Sequence, residues 1–185
     1  MDLVNDYAQH FSLGIICDLI GVSADDRMTI KELSDAVITM YEPAPSDEQQ
    51  AAANRAAGDF AAYLRDVVAH RRTHPTDDLM TGLIDATIDG ERLTDDQIVS
   101  IAMVLLMAGH EATVNATSNG IAALAALPDQ WRLVRRGEVG VRDAIEEILR
   151  WDPPLQWFER WVLDEGVEIA GTPIPRFGRV ALVLG

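Results

Sequence analysis

Thiol chemistry has almost no material in this sequence, whose 185 residues include one cysteine, Cys17. A lone thiol excludes an intramolecular disulfide and suits a reducing cytoplasm. Within Leu13-Gly14-Ile15-Ile16-Cys17-Asp18-Leu19-Ile20 it reads as a small buried hydrophobe. Positive charge is scarce too, with 15 Lys and Arg against 30 Asp and Glu, a formal charge of -15 and a pI near 4.4. Such a surface repels phosphate backbones, which argues against a nucleic-acid partner, and offers no polybasic patch to anionic lipid. The longest apolar run, residues 101–109, ends in His110-Glu111 and falls short of the ~20 residues that span a bilayer, so it belongs to a protein core. Met1-Asp2-Leu3-Val4-Asn5-Asp6 lacks the basic start and apolar stretch of a signal peptide. These absences point to a cytoplasmic chain without a membrane partner. No repeat, low-complexity tract or flexible linker divides it, and 48% hydrophobic with 24% charged residues is a globular balance, so residues 1–185 read as a single domain.

What is present is mostly helical spacing. Val4, Tyr7, Phe11, Ile15, Ile16, Leu19 and Ile20 recur at three and four residues, which predicts an amphipathic helix closed by Gly21. Ser23 with Asp26 predicts the cap of a second helix, striped by Ile30, Leu33, Val37 and Met40 and broken by Pro43 and Pro45. Ser46 with Gln49 opens a long alanine-rich helix through Phe60, Leu64, Val67 and Val68 to the basic end His70-Arg71-Arg72. Asp77-Asp78 start a short helix to about Thr87, and Asp89-Gly90 turns the chain. Thr94 with Gln97 makes another capping box, and the helix it opens, residues 95–127, would be about 50 Å long. Pro128 fits the first turn of a helix over 129–135, and Val141–Trp151 is helical again. Beyond Pro153-Pro154, residues 160–163, 167–170 and 179–184 are short and β-branched and predict strands of one small sheet, the last ending at Gly185 with no strand after it. The expected fold class is mainly α (α+β).

Three features carry chemistry. Ala108-Gly109-His110-Glu111-Ala112-Thr113 places a carboxylate at the midpoint of the long helix, where burial unpaired would cost several kcal/mol. Gly109 weakens the helix there, and the Thr113 hydroxyl can return to the Gly109 carbonyl and bend it. A kinked core helix whose Glu111 faces a neighbour or solvent satisfies the same facts. A zinc peptidase does not, because the second histidine of that motif would fall on Val114. The second feature is Glu147-Ile148-Leu149-Arg150, whose spacing puts carboxylate and guanidinium on one helical face. The third is Trp151-Asp152-Pro153-Pro154, a helix stop, followed by Arg160 at the head of a strand.

In this order the three resemble the cytochrome P-450 family: the kink motif of its long central helix, its Glu-x-x-Arg pair, and its following Asp-Pro-Pro and arginine. Val167-Glu168-Ile169-Ala170-Gly171-Thr172-Pro173-Ile174-Pro175 and Ile16-Cys17-Asp18-Leu19-Ile20-Gly21-Val22 are similar to further phrases of its soluble bacterial members. The resemblance covers nearly every residue and implies a partial cytochrome P-450 fold, a long kinked central helix with a few short C-terminal strands.

The resemblance implies a parent haem-thiolate monooxygenase that binds haem b and inserts oxygen from dioxygen into a small organic substrate, with electrons from a ferredoxin-type or flavin redox partner. Ala108, Gly109 and Ala112 would lie against the porphyrin, Glu111 would relay protons to the dioxygen pocket, and Arg160 would grip a haem propionate. Glu147 and Arg150 would brace the fold in a buried ionic network, and Leu105, Leu155, Gln156 and Trp157 would line the substrate pocket. The family carries a threonine after the acid, whereas this chain has Ala112; Thr113, about 100° further round the helix, is the remaining hydroxyl. The iron-holding cysteine of a glycine-rich loop has no counterpart here, since Cys17 lies far upstream, and His10, His70, His74 and His110 offer no axial ligand. The chain alone is therefore expected to be inactive, its apolar face around 101–107 uncovered. The alternative is a non-catalytic, truncated helical interaction module.

Overall fold

The computed structural model describes residues 1–42 and 44–184. Pro43, read above as a chain break, and Gly185, read as the end of the last strand, lie outside the described residues. Two compact units emerge, Met1–Val114 and Asn115–Gly185.

In the first unit Asp2 accepts hydrogen bonds from the amides of Val4 and Asn5 and opens a π-helical turn, Leu3–Ala8, that runs into α1, Gln9–Ile20. Gly21 ends α1 with φ +93° in the left-handed region, where glycine is the default residue. Ser23 caps a 3₁₀ turn, Ala24–Asp26, before α2, Arg27–Ile38. The capping box of Ser46 and Gln49 opens α3, Asp47–Thr73, and Asp78 caps α4, Leu79–Asp85. Asp89 and Gly90, with φ +53° and +86°, make the tight turn of a hairpin between β1, Thr87–Ile88, and β2, Glu91–Arg92. Thr94 and Gln97 exchange reciprocal hydrogen bonds at the head of α5, Asp95–Ala126.

The core gathers Ile16, Cys17 and Ile20 of α1, Phe60, Leu64 and Val68 of α3, Met80 of α4, and Ile98, Ala102 and Leu106 of α5. Helix α5 is long and apolar enough to cross a membrane by length and composition, yet these residues pack it into a protein core. The stripe expected to bury α1 is corrected in part: Ile16 and Ile20 are buried as expected, but Val4, Tyr7, Phe11, Ile15 and Leu19 are exposed, and Ala8, Ser12, Leu13, Gly14 and Cys17 are buried in their place. Helix α1 is apolar on nearly every side, so spacing alone left its rotation open. The face that packs carries Leu13, Ile16 and Ile20 beside the small Ala8, Ser12 and Cys17, and α5 meets Ile16 at its Gly109.

The second unit continues α5 into α6, Pro128–Arg135, with its proline in the first turn, and α7, Val141–Trp151. Four strands follow. β3, Trp157–Trp161, pairs antiparallel with β6, Arg179–Val183, in a register that sets Trp157 opposite Val183 and Trp161 opposite Arg179. β4, Val167–Ile169, pairs with β5, Thr172–Ile174. Two expectations change here. The strands form separate two-stranded ladders rather than one sheet. Arg160 is the fourth residue of β3, not its head, because the aromatic residues Trp157 and Phe158 extend the strand backwards. β5 escaped notice because Pro173 reads as a breaker, although an outer strand tolerates proline.

Candidate functional site

The central turns of α5 present two unlike faces. Ile98, Val99, Ala102, Leu106 and His110 are buried, whereas Val104, Ala108, Glu111 and Asn115 are exposed, Val104 by 63%. The exposed four recur at four, three and four residues and so share one side of the helix. Within 101–107, expected to be uncovered, Val104 is exposed, Ala102 and Leu106 are buried, and Met103, Leu105 and Met107 pack partly against the core. Glu111 stands in the open, and no desolvation cost attaches to it in this chain.

The packed face is held by three groups. An added Cβ at Gly109 would lie 2.8 Å from the side chain of Ile16, so glycine there is required by the close approach of α1. The buried hydroxyl of Ser12 donates to the carbonyls of His110 at 2.9 Å and Gly109 at 3.1 Å. The His110 ring is buried, its Nδ1 has no partner, and burial pushes its pKa down, with Asp35 acting upward and Lys31 downward. Among the hydrogen bonds of the described residues, the Thr113 hydroxyl makes none to Gly109; the hydroxyl that reaches that carbonyl belongs to Ser12. Thr113 is exposed but lies two residues beyond Glu111, about 200° round the helix, so the two candidates for catalysis do not share a face. Ala112 is half-buried, and Leu105 is partly buried against the core at the edge of the open stripe.

In the second unit the Glu147–Arg150 pair is formed, with Arg150 donating from Nε to one carboxylate oxygen at 2.6 Å and from Nη2 to the other at 2.7 Å. Those hydrogen bonds hold the Glu147 carboxyl below its usual range and raise the guanidinium. The pair is not buried as expected: both side chains are more than half exposed, because α7 has no buried residue among those described. Arg160 stacks its guanidinium over Phe158, 4.0 Å from the ring centre, and donates to the Glu159 carbonyl. It has no carboxylate partner among the described residues. Leu155 and Trp157 are exposed, and the Gln156 amide donates to the Pro153 carbonyl at 2.9 Å.

Cys17 is fully buried, and desolvation pushes its thiol up to about 11, so it is a protonated core residue and no thiolate ligand. Among the described residues no group of three or more His, Cys, Asp or Glu is placed to hold a metal ion. Sequence reasoning missed Ser12, because a serine among apolar residues carries no sign of the helix that its hydroxyl will meet. It also missed Arg71 and Asp78, whose largely buried ion pair at 2.6 Å closes α3 onto α4. The signal for the latter was available only as an arginine in a basic helix end and an aspartate at a helix start, with nothing to say that they meet.

The vitamin D(3) 25-hydroxylase of Pseudonocardia autotrophica is 36% identical over 185 residues, covering 100% of this chain and 44% of that protein. The 6-deoxyerythronolide B hydroxylase of Saccharopolyspora erythraea is 36% identical over 186 residues, covering 100% and 45%. Among solved structures, that of P450BioI in complex with an acyl carrier protein ligated to hexadec-9Z-enoic acid superposes with a TM-score of 0.92 at 31% identity, covering 100% of this chain and 47% of that one. The chain thus spans somewhat under half the length of the relatives it matches. No family model matches the sequence. Matched from end to end in sequence and in fold, with the long two-faced helix and the Glu-x-x-Arg pair in place, the chain belongs to the cytochrome P450 family.

Proposed function

We propose that this chain supplies one wall of the haem pocket in a cytoplasmic haem-thiolate monooxygenase, which acts on a small organic substrate with electrons from a ferredoxin-type or flavin redox partner. The observation that carries the reading is the open stripe of α5: small, apolar Val104 and Ala108 followed by a carboxylate, on the side of the helix away from its core contacts. A flat apolar macrocycle fits against such a stripe; in the second unit, taken by itself, the Arg160 guanidinium has no carboxylate partner among the described residues and suits a propionate. When bound, the haem supplies the chemistry that cleaves dioxygen, its iron held by a thiolate from outside these 185 residues.

The residues present do the rest. Ala108 lets the macrocycle approach, with Gly109 and Ala112 beside it, and Glu111 takes protons from solvent and hands them into a site that excludes bulk water. Ala112 brings no hydroxyl, so a water or the substrate itself completes the proton path. Glu147 and Arg150 brace α7; Leu105 of the first unit faces substrate, and in the second unit Leu155, Gln156 and Trp157 do so. The whole chain, on this reading, is part of one domain.

The test uses the full-length, haem-loaded protein that carries this stretch. Reduction under carbon monoxide should give a thiolate-type difference band, and Glu111→Gln should keep the band while slowing product formation by about 10- to 100-fold. An unchanged rate in Glu111→Gln removes the proton role, and the absence of a band in the unaltered protein removes the reading.

A further inference from the structure

We propose that Ser12 is a positioning residue that bends α5 at the turn carrying Glu111, a role whose use in catalysis rests on the monooxygenase reading above. A serine inside a helix ordinarily returns its proton to a carbonyl of its own helix three or four residues back. Ser12 sends it to another helix, onto two successive carbonyls, those of Gly109 and His110. One hydroxyl has one proton, so the bond is shared between the two.

Each of those carbonyls already serves the helical ladder, Gly109 through the amide of Thr113 and His110 through that of Val114. A carbonyl drawn toward an outside donor tilts away from the helix axis and lengthens its ladder bond. A helix lengthened on one side is convex on that side. Helix α5 is therefore convex toward α1 and concave along Val104, Ala108 and Glu111, which gives the open stripe a shallow recess.

The surroundings make the contact specific. Ser12 has a short side chain and reaches the backbone only because Gly109 lets Ile16, one turn further along α1, come within 2.8 Å of where a Cβ would stand. The His110 ring on the same turn is 4% exposed. Residue 112, which follows the acid, is alanine and has no hydroxyl to perturb the ladder from within the helix. The perturbing hydroxyl comes from α1 instead.

The experiment is amide hydrogen exchange in the full-length, haem-loaded protein, comparing the unaltered chain with Ser12→Ala and with Ser12→Cys, a near-isosteric variant with a weak donor. Removing the competing donor should restore the ladder bonds. The amides of Thr113 and Val114 should then exchange more slowly by roughly 3- to 10-fold, while amides near Leu106 do not slow, with Ser12→Cys in between. A second readout is the peroxide released per NADH consumed with a surrogate ferredoxin and its reductase, which should rise in Ser12→Ala at an unchanged carbon-monoxide band. Faster exchange throughout α5 in both variants, or no change at residues 113 and 114, would overturn the proposal, since an ordinary packing role predicts one or the other. An unaltered protein without a thiolate-type band counts against the haem reading alone, because the exchange comparison needs no bound haem to be interpreted.

Discussion

Asp78 is a carboxylate at the foot of α4 whose side chain is 5% exposed. Burial by itself would raise its pKa, but hydrogen bonds from the Thr76 hydroxyl, the Thr81 amide and the Arg71 guanidinium outweigh it and hold the carboxyl below its usual range. Arg71 also donates to the Gly21 carbonyl at 2.9 Å, so the pair ties the end of α1 to α3 and α4. Removing one partner strands the other, and Asp78→Ala should cost about 3 kcal/mol in urea unfolding. A loss under about 1 kcal/mol would show that water reaches the arginine. Two of the groups with lowered pKa, His110 and Asp78, have buried side chains and contribute to acid stability. His110 has a folded-state pKa below its unfolded value, so the unfolded chain takes the proton first and stability falls as pH drops below about 6.5. Asp78 follows the same sign in a lower window: its contribution is complete above about 4 and is lost as pH falls further. His110→Phe removes the upper window, together with an unpartnered buried nitrogen. The thermal midpoint followed by circular dichroism should then differ less between pH 7 and pH 5 than in the unaltered chain; an equal difference would assign the loss to other groups.

Between α5 and α7, both within the second unit over this stretch, Gly120 sits where a Cβ would come 2.7 Å from Cγ2 of Ile148. Alanine at 120 gains about 1 kcal/mol of helix propensity but must displace a β-branched side chain with little rotamer freedom, an overpacking that costs about 1–3 kcal/mol. Gly120→Ala should therefore destabilise the chain, and Ile148→Val in that background should recover part of the loss; additivity of the two changes in a double-mutant cycle would refute the contact. Such close approaches were not legible in the sequence. The capping boxes at Ser46–Gln49 and Thr94–Gln97 and the left-handed stop at Gly21 were, because each is settled by residues within one turn of each other. The rotation of α1, the pairing of β3 with β6 and the meeting of Arg71 with Asp78 depend on partners in other elements, 7 residues away for Arg71 and Asp78 and 97 for Ser12 and Gly109, and local pattern is blind to them. For the candidate site the same division holds. Glu111, Ala108 and the Glu147–Arg150 pair were singled out by motif, whereas Ser12, which holds the Glu111 turn from a different helix, left no local mark.

At the scale of the whole chain, the two units differ in how much apolar surface they bury. The first has a continuous core across α1, α3, α4 and α5. In the second, Val162 is the buried hydrophobic core residue among those described, and Val141, Ile145, Trp151, Trp157, Trp161, Leu163 and Phe177 all stand at least half exposed. Monomeric soluble proteins rarely leave contiguous apolar areas of more than a few hundred Å² uncovered, so the 185 residues in isolation should associate or bind a hydrophobic dye. They should also fail as a haem-thiolate protein, since Cys17 is shielded and its thiol is pushed up to about 11. With haem supplied, reduction under carbon monoxide should leave no thiolate-type band, while ANS fluorescence should rise well above that of the full-length, haem-loaded protein. The two readouts separate the two claims. A thiolate-type band from the isolated chain would mean that Cys17 leaves the core to ligate iron, which requires α1 to open. A weak ANS signal from a monomer would mean that residues 115–185 cover their own apolar side chains in a packing other than the one seen here.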